Sequence, residues 1–460
     1  MTLQADLPGR DEGEIAVIGL ARSGRWVAKL LKKNGYTVYA SDAATNREVA
    51  GCAEELRSAG ISTQIGGHDF ERLRRTALVV VSPGVPPKAP PLTLAREKGI
   101  RIVSEVEVAL HFLPRSRIVA VTGTNGKTTT TALIAHILER LSGSAAEAGN
   151  IGTPLSEVAM SAEPPAWIAL EMSSFQLHDT PGLRPLVGVL TNLSPDHLDR
   201  YERVEEYYGD KARLFSGADS RSRWVVNGDD TRVREMASGV PGEHHAFSLR
   251  ERADAFYDEG QDKLVLLGEP LIPRKEFPLL GRHNVANALA ASLAVAVADD
   301  SHRAPEARLT IAAALETFRA LPHRLELVGE FSGVQWINDS KATNVSSAAV
   351  AIDGMERPTV LLLGGRHKGE PYSPLLDVMR NKIKKIIAYG EAAPLIERDL
   401  ARGVPLEVRG ADFEDAVGAA RSAASPGDAI LLSPACSSYD MFANYEERGE
   451  RFRSLASARH

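Results

Sequence analysis

Val119-Ala-Val-Thr-Gly123-Thr-Asn-Gly126-Lys127-Thr128-Thr129-Thr130 decides how this chain is read. The apolar run Ile118 to Val121 predicts a buried strand, and behind it Leu133, Ile134, Ile137, Leu138 and Leu141 recur at helical spacing. Strand, glycine turn and helix in that order make a phosphate loop. Glycines let the backbone turn its N–H groups around an anion, the helix N-terminus adds partial positive charge, and Lys127 reaches the outer phosphates. Thr128 then offers its hydroxyl to Mg²⁺. The general pattern G-x-x-x-x-G-K-[ST] is met incompletely, because Val121 stands at the first glycine position and the turn glycine is Gly123. The expected phosphate contacts are Gly123, Thr124, Asn125, Gly126, Lys127, Thr128 and Thr129.

Outward from this loop, 460 residues at roughly 150 per domain suggest about three domains. A composition 43% hydrophobic and 25% charged belongs to a globular chain with real cores. The net charge of -6 argues against a general nucleic-acid binder, which shows a basic stripe. Cys52 and Cys436 cannot form a disulfide framework or a C-x-x-C zinc pair, which fits a reducing cytoplasm. The N-terminus lacks the basic and apolar regions of a signal peptide, and the most apolar helix, Val285 to Ala298, is too short to span a bilayer, so no membrane is expected.

Residues 1–115 alternate strand and helix. Ile15 to Ile18 leads into Gly19, Leu20, Ala21, Arg22, Ser23 and Gly24, and the strand Tyr36 to Ala40 ends at Asp42. This resembles the opening of a dinucleotide-binding fold with Ala21 where the middle glycine of G-x-G-x-x-G should be, so nucleotide binding and a plain strand-turn-helix corner both stay open. Leu78 to Val81 delivers Ser82, Pro83 and Gly84 at a strand's carboxyl end, where open α/β sheets place ligands.

Residues 116–320 form a second α/β unit. Asn150 sits in a tight-turn stretch, and the strand Trp167 to Leu170 ends at Glu171, a carboxylate well placed to hold Mg²⁺ beside the phosphate loop. Leu186 to Leu190 leads to Asp196 and His197; histidine is an unusual ligand for that hard ion. Lys211 lies on an expected helix and by itself reads as a solvated lysine. Asn284 and Asn287 share a helical face at the start of the alanine-rich helix, where they could read an adenine edge or cap the helix. A helix from Leu309 to Arg319 ends before the boundary Leu321-Pro-His-Arg324, and residues 321–460 are a third α/β run with polar residues at its strand ends.

Taken together, Gly123-Thr-Asn-Gly-Lys-Thr128, Glu171-Met-Ser-Ser-Phe-Gln176, Asp196-His-Leu-Asp-Arg200, Gly281-Arg-His-Asn284, Leu321-Pro-His-Arg324, Asn338-Asp-Ser-Lys-Ala-Thr-Asn344 and Leu432-Ser-Pro-Ala-Cys436 resemble the Mur ligase family, nearest its D-glutamate-adding members. The resemblance runs through all three segments in order. It implies an N-terminal Rossmann-like domain, a central ATPase-type domain and a C-terminal Rossmann-like domain. It also implies an ATP-dependent ligase of cytoplasmic peptidoglycan precursor synthesis, acting as a monomer on UDP-N-acetylmuramoyl-L-alanine, D-glutamate and ATP. Lys127 and Thr128 then match the ATP phosphate and Mg²⁺ contacts, Glu171 and His197 match ligands of a second Mg²⁺, and Lys211 matches a carbamylated lysine supporting it. Lys127, His197 and Lys211 form the expected catalytic set. Asn284 and Asn287 match residues near the adenine, Arg324 a phosphate contact and Asp339 a ribose contact. Gly19 to Ser23, Asp42, Ser82, Gly84 and Asn150 match the UDP-sugar site, and Lys341, Thr343, Lys368, Ser438 and Tyr445 the D-glutamate site. Tyr439 and Tyr445 stand where such members usually carry leucine and phenylalanine. A folylpolyglutamate synthase, an NAD-dependent oxidoreductase and a nucleotide switch are the competing readings; the last two leave the polar strand ends of the third segment unexplained.

Overall fold

The computed structural model describes residues 7–150, 152–196 and 200–458. Its first sheet is wholly parallel: β1 (Ile15–Ile18), β2 (Val38–Asp42), β3 (Ser62–Ile65), β4 (Leu78–Val81) and β5 (Ile102–Ser104) lie in the order β3-β2-β1-β4-β5. β1 and β4 are buried at every residue, as strands covered on both faces must be. Strand order reverses between them, so the turns after Ile18 and Val81 open one crevice at the carboxyl edge.

The central sheet comprises β6 (Arg117–Thr122), β7 (Ala145–Gly149), β8 (Trp167–Glu171), β9 (Val187–Leu190), β10 (Arg223–Asn227), β11 (Glu243–Ser248), β12 (Ala255–Asp258), β13 (Lys263–Leu266) and β14 (Glu269–Pro273). Its order is β14-β13-β12-β11-β10-β9-β6-β8-β7. The phosphate-loop strand β6 lies between β8 and β9, so loops carrying Glu171 and Thr191 flank it. The antiparallel pair β13–β14 went unread in the sequence. Its two-residue turn, Leu267-Gly268, has φ +52° and +84°, a type I′ shape normally signalled by Asn-Gly or Asp-Gly, and Leu267 hides that signal.

The third sheet contains β15 (Glu326–Phe331), β16 (Val334–Asn338), β17 (Thr359–Gly364), β18 (Ile383–Tyr389), β19 (Leu406–Val408) and β20 (Ala429–Leu432), in the order β15-β16-β20-β17-β18-β19. Only the edge strand β15 runs antiparallel to its neighbour. The helix before this sheet runs Pro305–Thr317, beginning at a proline, which the first helical position tolerates because its N–H has no partner there.

The α/β fold expected from the sequence is the fold observed. The chain divides into two compact units, residues up to Arg274 with Ala286–Leu315, and Lys275–Val285 with Glu316 onward. Within the first unit, two buried carboxylates tie the first sheet's last helix, Glu105–His111, to the central segment. Glu105 accepts the N–H groups of Leu155 and Ser156, and Glu107 accepts that of Gly182. Burial pushes the Glu105 carboxyl up to about 7.

Candidate active site

At the first crevice, Ser82 Oγ donates to the Gly19 carbonyl (2.9 Å), and the Leu20 and Ala44 N–H groups donate to the two oxygens of Asp42 (2.7 and 2.8 Å). Asp42 is therefore engaged in shaping the glycine turn. A Cβ on Gly24 would lie 1.8 Å from the Gly19 carbonyl oxygen, so glycine is required there. Ala21, by contrast, is extended at φ -62°, which any residue adopts; the missing middle glycine costs this turn no strain. Arg22 opens the following helix and Ser23 lies in its first turn. Gly84 is exposed.

A cavity of about 630 Å³ opens beside this turn. Ser82 and Pro83 form one wall, and Phe175, Gln176, Arg200 and Tyr201 another. Arg200 spans the two walls: its guanidinium sits 4.9 Å from the Phe175 ring centre and donates to the Pro83 carbonyl.

The phosphate loop leaves β6 and enters the helix Lys127–Ser142 through Gly126, at φ +82°. A Cβ on Gly126 would meet Asn287 Oδ1 at 2.4 Å, and one on Gly123 would meet Thr191 Oγ1 at 2.0 Å. Neighbouring strand ends hold the loop. Thr191 Oγ1 and Asn192 Nδ2 donate to the Asn125 carbonyl, Asn192 Oδ1 accepts the Asn125 N–H, and Thr124 Oγ1 accepts from the Ser194 N–H and the Tyr207 hydroxyl. Lys127 Nζ donates to the Thr124 carbonyl at 2.7 Å. Asn287, expected near an adenine, accepts from Thr130 Oγ1 at 3.3 Å.

Three charged groups gather at this loop. Glu171 is buried at the end of β8; its Oε1 accepts from Asn150 Nδ2 at 3.0 Å, and its Oε2 has no hydrogen-bond partner among the described residues. Asn150 thus orients a carboxylate. Lys211, on the helix Val204–Ala212, is 1% exposed, and its Nζ donates to the Gly123 carbonyl at 2.5 Å and lies 4.6 Å from the Tyr207 ring centre. Burial first, and the Lys127 charge second, hold its amine well below the usual lysine range. Removal from water disfavours the charged amine more than the neighbouring cation does. Among the described residues no three His, Cys, Asp or Glu side chains converge as a metal set. His197 lies outside the described residues. A buried carboxylate oxygen that is orphaned among the described residues, beside a phosphate loop, nevertheless fits a hard cation, which Glu171 and Thr128 would hold.

In the second unit the loops after β16, β17 and β20 share one sheet edge. Lys341 Nζ lies 3.8 Å from the Tyr445 ring centre, and Lys368 Nζ donates to Thr343 Oγ1 at 3.3 Å. Arg366 and Ser437 exchange backbone hydrogen bonds, which brings Lys368 and Ser438 onto neighbouring strand ends. Asn284 Nδ2 donates to the Leu280 carbonyl. Asp339, expected at a ribose, is internally engaged: Oδ1 accepts the Leu325 N–H and Oδ2 the Ser433 hydroxyl, with Arg324 close enough to influence its charge. Burial raises its carboxyl to about 7. A carboxyl raised from 3.8 in the folded state stabilises the fold fully below about pH 3.8, and that stability is lost as pH rises through about 7. Asp339→Asn is therefore expected to flatten the pH dependence of unfolding between about pH 4 and 7, read by thermal melts across that range; an unaltered slope would refute it.

Comparison with known proteins now bears on this geometry. The Mur ligase MurD-like N-terminal domain matches residues 13–104, the Mur ligase middle domain residues 121–295, and the Mur ligase glutamate ligase domain residues 323–436. The UDP-N-acetylmuramoylalanine--D-glutamate ligase of Anaeromyxobacter dehalogenans is 41% identical over 96% of this chain and 97% of its own length. The chain belongs to the Mur ligase family. A protein of the same name from Acidobacterium capsulatum is 40% identical over 97% of this chain and 96% of its own. The fold is that of solved Mur ligases: UDP-N-acetylmuramate-alanine ligase from Thermotoga maritima gives a TM-score of 0.60 at 19% identity, covering 97% of this chain and 100% of that one. MurF from Acinetobacter baumannii gives 0.58 at 16%, covering 98% and 95%.

In this Mur ligase several engaged residues escaped the sequence reading. Thr191, Asn192 and Tyr207 brace the phosphate loop from 66 to 83 residues away. Arg448 is wholly buried and donates to the carbonyls of Ser340, Cys436 and Ser437 and to Ser340 Oγ. A buried arginine inside a charged helical stretch, Tyr445–Ser457, leaves no local signal.

Proposed function

We propose that this Mur ligase joins D-glutamate to UDP-N-acetylmuramoyl-L-alanine with cleavage of ATP, as a monomer in the cytoplasm, within peptidoglycan precursor synthesis. No helix among the described residues is long and apolar enough to cross a membrane. The domain limits 1–115, 116–320 and 321–460 belong to the same reading. The observation that carries it is the buried Lys211 amine against the Gly123 carbonyl, beside Glu171 and Lys127, in a chain akin from end to end to ligases of that name.

The acceptor's carboxylate oxygen attacks the γ-phosphorus of ATP, the bond to the ADP oxygen breaks, and an acyl phosphate results. The D-glutamate amine then attacks the acyl carbon, the tetrahedral intermediate expels phosphate, and the amine gives up its proton. Lys127 and the N–H groups of Gly123 to Thr129 stabilise charge spread over the transferring phosphoryl group. Two Mg²⁺ ions, when bound, would offset the repulsion between acceptor carboxylate and triphosphate; Thr128, Glu171, His197 and Lys211 would hold them. Asn284, Asn287, Arg324 and Asp339 belong to the nucleotide's surroundings, and Gly19 to Ser23, Asp42, Ser82, Gly84 and Asn150 to the UDP-sugar's. Lys341 and Lys368 face the carboxylates of D-glutamate, with Thr343, Ser438 and Tyr445 around them.

Lys211 serves this site as a carbamate. Its neutral amine attacks CO₂, an N–C bond forms, one C=O electron pair moves to oxygen, and the amine proton leaves to solvent. The carbamate nitrogen keeps one N–H for the Gly123 carbonyl while its oxygens turn a repelling cation into an anion.

The test is phosphate release from ATP with UDP-N-acetylmuramoyl-L-alanine present, comparing D-glutamate, L-glutamate and no amino acid. Release that requires D-glutamate, with the matching product mass, is expected. Release indifferent to all three would discard the ligase reading.

A further inference from the structure

The helix Val204–Ala212 reaches its last turn at Asp210, one residue before Lys211. The Asp210 side chain is 14% exposed and is held by three donors from three directions. His178 Nδ1 lies 2.7 Å from Oδ1, the Tyr201 hydroxyl donates to Oδ2 at 3.0 Å, and Arg213 Nε donates to Oδ1 at 3.2 Å. His178 ends the short helix Ser174–His178, which begins three residues after Glu171 and is closed by a capping box between Ser173 and Gln176. Asp210 therefore ties the azimuth of the Lys211 helix to the strand end that carries Glu171. Three residues earlier on the same helix, Tyr207 is anchored through its hydroxyl to Thr124 of the phosphate loop.

Successive residues project about 100° apart around a helix, so a carboxylate pinned at position 210 fixes the direction of the side chain at 211. A rotation of about 20° would move a lysine tip, roughly 8 Å from the axis, by about 3 Å. That displacement exceeds the tolerance of a 2.5 Å hydrogen bond to Gly123. We infer that Asp210, held by His178, Tyr201 and Arg213, is a positioning residue that aims Lys211 at the phosphate loop and so sets how fully Lys211 is carbamylated. The inference rests on the carbamate reading of Lys211.

The experiment uses the full chain in ¹³C-bicarbonate buffer, with the lysine carbamate resonance read by NMR and assigned by its loss in Lys211→Arg. Wild type, Asp210→Ala and the half-exposed His178→Gln, which removes one donor and spares the fold, are compared at limiting and saturating bicarbonate. Asp210→Ala is expected to lose most of the resonance at limiting bicarbonate and to regain it at saturation. Its kcat falls on the order of tenfold at limiting bicarbonate and recovers with the resonance, while KM for D-glutamate stays unchanged; His178→Gln shows the same pattern more weakly. A wild-type resonance matched in both variants at limiting bicarbonate would overturn the positioning role alone. No Lys211-dependent resonance in wild type would overturn the carbamate reading and this inference with it.

Discussion

Replacing Lys211 by alanine is expected to lower the ligation rate on the order of a thousandfold, because on the proposed carbamate reading charge stabilisation worth several kcal/mol at the phosphoryl group depends on an anion at that position. Small carboxylates added to Lys211→Ala should restore part of the rate by entering the space left behind. Lys211→Met, which keeps the volume, should be equally slow yet more stable than wild type in CO₂-free buffer. Burial, with Lys127 nearby, lowers the folded amine well below 10.5. Between the folded and unfolded values the unfolded chain binds the extra proton, so stability rises with pH through that window, and below it the chain bears the full cost of a buried charge. Methionine removes that cost at neutral pH. Thermal melts and steady-state rates on the same samples check both halves. A Lys211→Met protein that melts below wild type across this pH range, or that keeps its rate, would contradict the assignment.

The second large effect is expected at Arg448. Its guanidinium is 0% exposed and bridges two loops: Nε and one terminal nitrogen donate to Ser340 Oγ and the Ser340 carbonyl, and the terminal nitrogens reach the carbonyls of Cys436 and Ser437. One loop carries Lys341 and the other Ser438. Arg448→Leu leaves buried carbonyls without donors and should cost on the order of 3 kcal/mol, seen as earlier unfolding in urea. Arg448→Lys keeps the charge but not the planar fork, so it should fold better and still raise KM for D-glutamate on the order of tenfold. An unchanged KM in the lysine variant would confine Arg448 to stability.

Helix and strand were readable along much of the chain because their signals are local. Apolar runs such as Ile118 to Val121 and Leu78 to Val81, each closed by glycine or proline, announce buried strands and place polar residues at their carboxyl ends. The β13–β14 hairpin was not readable, since Leu267 fills a turn position that usually advertises itself with Asn or Asp. Candidate site residues were named from motifs, yet their engagements are long-range. Asn150 turned out to hold Glu171, Asp42 its own glycine turn, and Asp339 the Leu325 and Ser433 groups.

By itself, then, the sequence determined the strand-turn-helix of the phosphate loop, the α/β class and the family, because each rests on residues close in the chain or on ordered motifs. Only the tertiary structure decided the state of Lys211. A lysine on a helix reads as solvated until another element covers it, and burial against Gly123, 88 residues away, holds its amine well below the usual lysine range. It likewise decided which donors meet the Asp210 carboxylate and which carbonyls the Arg448 guanidinium reaches, since a charge removed from water must find its partners wherever the fold brings them.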